Sequence, residues 1–202
     1  MVSQRMSDQD FQEYSDAHLL HEVGMLLDTF YLLAKKVKVR DTVGQEIPCI
    51  PVALLESFLV HARVLISFLY DTRLQSDDVS AKGFCTGDDS KWVVKQVDES
   101  LNGSYTRINK KLAHLTKTRA EREPEEGMWG CDEIAEKLID RLREFLDCVP
   151  ESRLGPRFRE YIATAMGPAG QGRLVFPSTV ISTAGSAGAA TLAVRAWYNP
   201  GQ

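Results

Sequence analysis

Apolar residues recur at helical spacing over most of the chain up to residue 166. The first such segment runs from Asp16 to Val39, with apolar residues three or four apart, and Ser15 or Asp16 is positioned to cap it. The segment from Pro51 to Tyr70 is apolar on nearly every side, which is typical of a helix at the centre of a bundle. Two further helices are predicted over 131–149 and 156–166.

The stretches between these segments favour connections. Gly44, Pro48 and Pro51 disfavour a continuous helix over 41–51. The polar stretch 71–90 predicts a surface loop with a short turn near 79–84. Apolar spacing resumes over 90–101 and again through Leu115, with Asn102 and Gly103 between. We therefore expect either one helix kinked at Gly103 or two helices that meet there.

The pattern predicts an all-α protein, a compact helical bundle of about four to six helices. Residues 1–15 are interpreted as a polar N-terminal segment, 16–166 as the bundle domain and 167–202 as a low-complexity tail. Residues 174–194 carry no charge and are rich in small and hydroxyl side chains. We expect a flexible or loosely docked tail, with a docked helix or a membrane helix as alternatives that Pro177 disfavours.

Composition limits the classes of function. The net charge of -4 excludes a globally basic nucleic-acid-binding surface, so any RNA contact would use a local basic patch. The four cysteines lie far apart and show neither zinc-ligand nor disulfide spacing. Because the N-terminus is polar and acidic, without the pattern of a secretory signal, we expect a cytoplasmic protein that does not associate with membranes.

Three ionisable residues interrupt the apolar helix: Glu56, His61 and Arg63. A buried charge is costly unless it is paired, so these residues need an explanation. One interpretation is an exposed flank with a Glu56–Arg63 pair. The other is that one or more of the three faces a functional cleft and supports the site described next.

Metal binding has weaker sequence support. His18, His21 and Glu22 lie together on the first helix, but the sequence shows no obvious third ligand, so a polar helix flank is preferred. Asp88 and Asp89 precede a helical pattern and are interpreted as N-terminal capping residues. We predict no metal site and no cofactor.

The basic stretch from Tyr105 to Thr118 contains the strongest candidate site. Arg107 and His114 are seven residues apart, which places them within roughly 20° of each other around an α-helix. The adjacent Lys110 and Lys111 complete a local basic patch compatible with a phosphate ligand.

An arginine followed by six residues and a histidine on a late helix of a bundle resembles the motif of the HEPN superfamily. The resemblance implies a metal-independent endoribonuclease of the toxin or defence type. Arg107 would bind the scissile phosphate, and His114 would be the general base or acid for attack by the RNA 2′-hydroxyl. Asn109, Lys110 and Lys111 would hold the RNA phosphate.

The resemblance also implies partners. A homodimer would supply a second histidine, and an antitoxin or other protein could neutralise the enzyme. The alternative, from a different class, is a non-catalytic helical bundle that binds a protein partner or a nucleotide.

Overall fold

A computed structural model describes residues 6–71, 75, 77–86, 91–112 and 129–166. These residues are mostly helical and contain no strand beyond an isolated bridge between Arg40 and Glu46. The helices are α1 (Asp8–Tyr14), α2 (Leu20–Ala34), α3 (Cys49–Tyr70), α4 (Ala81–Phe84), α5 (Glu99–Lys111), α6 (Cys131–Cys148) and α7 (Pro156–Met166). A π-helical turn, Ser15–Leu19, joins α1 to α2, and a 3-10 turn, Glu151–Arg153, precedes α7. The all-α bundle is confirmed, whereas the predicted tail at 167–202 lies outside the described residues.

Helix α3 lies at the centre of the bundle and contacts α2, α4, α5 and α6. Its buried side chains share one apolar stripe: Phe58, Leu59, Ala62, Leu65, Ile66, Phe68 and Leu69. Burying a single large side chain of this kind contributes about 1.5–3 kcal/mol, so this stripe is the main source of cohesion. The prediction of a central apolar helix is confirmed.

By length and composition, α3 could also cross a membrane. It has 22 residues and a mean hydropathy of 1.8, and 39% of its most apolar window is buried within the protein. The core helix of a soluble bundle meets the same criterion. The outward side of α3 exposes Val52, Val60 and Val64.

An aromatic cluster joins the short helix α4 to the rest of the bundle. The Phe84 ring lies 4.6 Å from that of Phe11 and 5.8 Å from those of Phe68 and Phe145, measured between centroids. These tilted and edge-on arrangements are the favourable ones for aromatic pairs. A four-residue helix with little intrinsic stability is therefore held by tertiary packing.

The bundle begins earlier than predicted, at Asp8 rather than Asp16. Ser7 and Asp10 form a reciprocal capping box, and Phe11 is buried. Phe11 and Tyr14 are the only apolar residues of this helix, and two positions are too few for a periodic signal, which explains the error.

The first long helix ends at Ala34, not at the predicted Val39. Lys36 adopts a positive φ of 50°, a conformation that an α-helix cannot contain. The backbone then turns back, with the Ile47 N–H donating to the Val39 carbonyl at 2.8 Å. The Asp41 carboxylate stabilises the turn by accepting from the N–H groups of Val43 and Gln45.

The helix predicted over 90–101 is also wrong. Residues 91–98 are not helical, and α5 begins at Glu99 with Asp98 accepting a hydrogen bond from the Leu101 N–H. From there the helix continues through Gly103 without interruption. The non-helical segment is fixed by tertiary contacts, since the Val93 carbonyl accepts a hydrogen bond from Arg141.

The π-helical turn connects the first helices to α7. Ser15 Oγ accepts a hydrogen bond from the Gly155 N–H at 2.8 Å, and Asp16 Oδ1 accepts one from the Phe158 N–H at 2.8 Å. These two residues therefore cap α7, rather than the first helix as the sequence suggested. A Cβ on Gly155 would lie 2.2 Å from the Asp16 carboxyl group, so the contact requires glycine at this position.

Candidate functional site

A polar cleft of roughly 550 Å³ opens between the π-helical turn, the start of α2, α3 and α5. Apolar side chains make up much of the lining, and the side chains that give it chemical character are Tyr14, His18, Glu22, Arg63, Ser67, Asp78 and Tyr105. Arg63 and Ser67 lie four residues apart on α3 and therefore share a face. Tyr105 faces them from α5. Residues distant in sequence thus form one wall of the cleft.

The Tyr105 side chain is held by its neighbours. It is 4% exposed, and its hydroxyl accepts a hydrogen bond from Ser67 Oγ at 3.3 Å. Burial acts to raise the pKa of Tyr105, but hydrogen bonds with the Ser67, Asn109 and Arg63 side chains and the positive charge of Arg63 outweigh it, so the pKa is lowered. A phenol with a lowered pKa in a cleft is a candidate for binding or proton transfer.

Arg63 is half-buried at this wall. Its Nε is buried and has no hydrogen-bond partner, and within the described residues no carboxylate pairs with its guanidinium. A guanidinium that lacks a carboxylate partner can bind an oxyanion through several N–H groups. Glu56 lies on an exposed flank of α3, as one of the two interpretations expected, but it forms no ion pair with Arg63.

Glu22 links the cleft to a second polar group behind it. Its Oε2 lies 2.7 Å from His61 Nδ1, with the two side chains 25% and 12% exposed. The His61 ring in turn packs edge-on against His21, with 5.3 Å between centroids. His61 therefore binds Glu22 on α2, and its side chain is not among the cleft-lining groups.

Arg107 lies on α5 but does not line the cleft. Its guanidinium stacks on the indole of Trp129, 3.9 Å from the ring centroid, a cation–π contact that holds the arginine against the residues just before α6. His114 lies outside the described residues. The proposed juxtaposition of Arg107 and His114 therefore stays a prediction.

The predicted phosphate-binding residues have different environments. The Asn109 amide donates to the Tyr105 backbone carbonyl at 3.1 Å, which directs it toward its own helix. Lys110 is exposed. Lys111 ends α5, and its side chain lies outside the described residues.

The sequence pointed to Arg63 and His61 as possible site residues. It did not show that Glu22 is the partner of His61, or that Ser67 and Tyr105 line a cleft. Tyr105 begins the basic stretch that the sequence singled out. Nothing in the pattern distinguishes it from an ordinary core tyrosine, however, because its polar neighbours come from α3. For Glu22, the indication in the sequence was its position next to His21 on the first helix.

Fold and cleft together define an all-helical bundle protein with a cleft of mixed polar and apolar lining, which holds one arginine and two carboxylates and lies beside the Glu22–His61 pair. Comparison of the chain with protein-family models, with curated proteins and with solved structures finds no match. Any function therefore has to be argued from the site itself.

Proposed function

We propose that the cleft binds a phosphate-bearing ligand, either a free nucleotide or the backbone of single-stranded RNA. The observation that carries this proposal is the Arg63 guanidinium, which faces the cleft and, within the residues that the structure describes, has no carboxylate partner. Ser67 and Tyr105 add hydroxyl groups beside it. Together these groups offer the multiple donors that phosphate oxygens require.

The lining also includes two carboxylates, Glu22 and Asp78, so the phosphate would bind beside Arg63, Ser67 and Tyr105 rather than along the whole cleft. Glu22 pairs with His61 behind the wall. Asp78 accepts a hydrogen bond from the Gln75 N–H at 2.6 Å and is exposed. The tyrosine ring of Tyr14 also lines the cleft, and an aromatic face of this kind is a platform for a base.

Fluorescence anisotropy with labelled ATP and with a short labelled RNA, in parallel, tests the proposal and separates the two sources of phosphate. We expect Arg63→Ala to weaken the binding of whichever probe is the ligand at least tenfold. Arg143→Ala is the matched control, because Arg143 pairs with Asp140 on the outer side of α6. Equal binding by the wild type and Arg63→Ala, or loss in both variants alike, would contradict the proposal.

The second candidate is the HEPN-like endoribonuclease that acts through Arg107 and His114. It is supported by the position of Arg107 on α5, two residues after the cleft residue Tyr105, and by the exposed Lys110 on the same helix. In this candidate the protein is cytoplasmic, and a second copy of the chain supplies the second histidine. The first candidate, a non-catalytic protein that binds a phosphate-bearing ligand, requires neither a cytoplasmic location nor a second copy of the chain.

Expression of the wild type and His114→Ala in a bacterial host, followed by inspection of total RNA, tests the enzyme. Cleavage that depends on His114 and persists in a chelator supports it, and intact RNA with the wild type contradicts it. Arg107→Lys is a better second variant than Arg107→Ala, because a lysine retains the charge beside Trp129. An unfolding curve for each variant excludes simple loss of the fold.

A further inference from the structure

Two histidines and a glutamate meet where α2 packs against α3, outside the polar wall of the cleft. His21 and Glu22 are consecutive on α2, and His61 reaches them from α3. We propose that His21, Glu22 and His61 bind a divalent transition-metal ion of the zinc class. This proposal goes beyond the binding of a phosphate ligand and does not depend on it.

The distances suit a shared ion. One ligand atom from each residue lies within 4.8 Å of those of the other two. Ligand bonds of about 2.0–2.2 Å arranged tetrahedrally separate neighbouring donor atoms by roughly 3.4 Å. The 2.7 Å between His61 Nδ1 and Glu22 Oε2 would therefore open by less than roughly 1 Å, which side-chain rotation can achieve.

The fold holds two of the three donors in place before any ion arrives. His61 is 12% exposed and Glu22 25% exposed, while His21 is exposed. Two of the donors, His61 and Glu22, are thus held in partly buried positions, and the third, His21, lies on the solvent side. The π-helical turn ends at Leu19, just before His21, and π-helical turns of this kind are frequent at functional sites.

The donor set defines the metal class. Two imidazoles and one carboxylate form the ligand set of many zinc enzymes, in which a fourth position is left to water or to a substrate. Imidazole donors disfavour calcium and magnesium, which take oxygen ligands.

Isothermal titration of the chelator-treated full chain with zinc chloride at neutral pH tests the site. We expect one zinc ion per chain, with affinity at least tenfold weaker in His21→Ala and in His61→Ala. His21→Ala is the most informative variant, since the residue is exposed and its loss should leave the fold intact. We also expect zinc to raise the melting temperature of the wild type and not that of His21→Ala.

Two control variants make the result specific. His18→Ala removes another histidine of the same segment, one that packs against Tyr14 instead, and Cys49→Ser removes the exposed thiol. Zinc affinity close to that of the wild type in both controls supports the site. Wild-type affinity in His21→Ala, or loss of binding in Cys49→Ser, would overturn the proposal.

Discussion

Two arginines of the bundle, Arg141 on α6 and Arg63 on α3, occupy opposite kinds of surroundings. Arg141 is 4% exposed and lies 3.7 Å above the Trp92 ring. Its terminal nitrogens donate to the Glu144 carboxylate and to the Val93 carbonyl. Arg63 faces the cleft, and no carboxylate of the described part of the chain pairs with it.

The difference separates a structural cation from a candidate binding cation. The partners of Arg141 compensate for removing its charge from water, and they fix the non-helical segment 91–98 against α6. Arg63 fixes no comparable segment, and its charge instead acts on the cleft residue Tyr105. We therefore expect substitutions at Arg141 to lower the free energy of unfolding, and substitutions at Arg63 to change ligand binding and the pKa of Tyr105.

The largest expected effect is that of Arg141→Ala. We expect the free energy of unfolding to fall by about 3 kcal/mol, because the substitution leaves the Glu144 carboxylate and the Val93 carbonyl without the donor they share and removes the stack of the buried Arg141 on Trp92. Urea denaturation measures the change, with Arg143→Ala, at a surface ion pair, expected to change it by less than about 0.5 kcal/mol. If Arg141→Ala changed the free energy of unfolding by as little as Arg143→Ala, the contrast between Arg141 and Arg63 would not hold.

The second-largest expected effect is that of Asp98→Ala, which should lower the free energy of unfolding by about 1 kcal/mol. Asp98 ends the segment that Arg141 fixes, and it accepts from the Leu101 N–H and from Lys137 Nζ, each at 3.0 Å. Burial acts to raise the pKa of Asp98, but these hydrogen bonds prevail and lower it.

Because this pKa is lowered in the folded state, the contribution of Asp98 is present at neutral pH and is lost as the pH falls through the lowered value. The difference in stability between the wild type and Asp98→Ala should therefore shrink in acid. Denaturation curves at neutral and at strongly acidic pH measure this trend. A difference that is the same at both would contradict the assigned role of the carboxylate.

Tyr105→Phe should change stability by less than about 1 kcal/mol near neutral pH, since the ring remains packed and one hydrogen bond is lost. The lowered pKa of Tyr105 makes its folded-state contribution grow as the pH rises through that value toward the ordinary tyrosine pKa, and fade as the pH falls below it. Unfolding measured on both sides of this range checks the sign. A difference that shrinks with rising pH would contradict it.

Arg63→Ala should have the smallest effect on the free energy of unfolding, below about 0.5 kcal/mol, because Arg63 forms no ion pair with any residue that the structure describes. Its expected signature is chemical: loss of the Arg63 charge should raise the pKa of Tyr105. The phenolate absorbance, compared with that of Tyr105→Phe at each pH, isolates this one residue. An unchanged midpoint of the Tyr105 titration would show that Ser67 and Asn109 lower the pKa of Tyr105 without Arg63.

Most helices could be predicted because an apolar stripe is a property of local sequence. α3, α6 and α7 follow their apolar residues closely, whereas α1 and segment 91–98 do not. Phe11 is one of only two apolar residues in α1, and its burial depends on the ring of Phe84. Trp92 and Val93 lie in a non-helical segment that is held by Arg141, far along the chain, which contacts both.

The candidate site was less predictable than the fold. The sequence indicated that the charges on α3 need partners, but it could not name them. It placed Arg107 on a helical basic face, and the structure adds that this guanidinium stacks on Trp129. The pairing of Arg107 with His114 is still a prediction.

The sequence alone determined that this protein is an all-α bundle built around one strongly apolar helix, because helical periodicity depends on near neighbours. Only the tertiary structure decided that Glu22 meets His61 and that Ser67 meets Tyr105, pairs separated by 39 and 38 residues. Such pairs depend on how the helices pack, and a helical pattern specifies which face is buried but not which partner it finds.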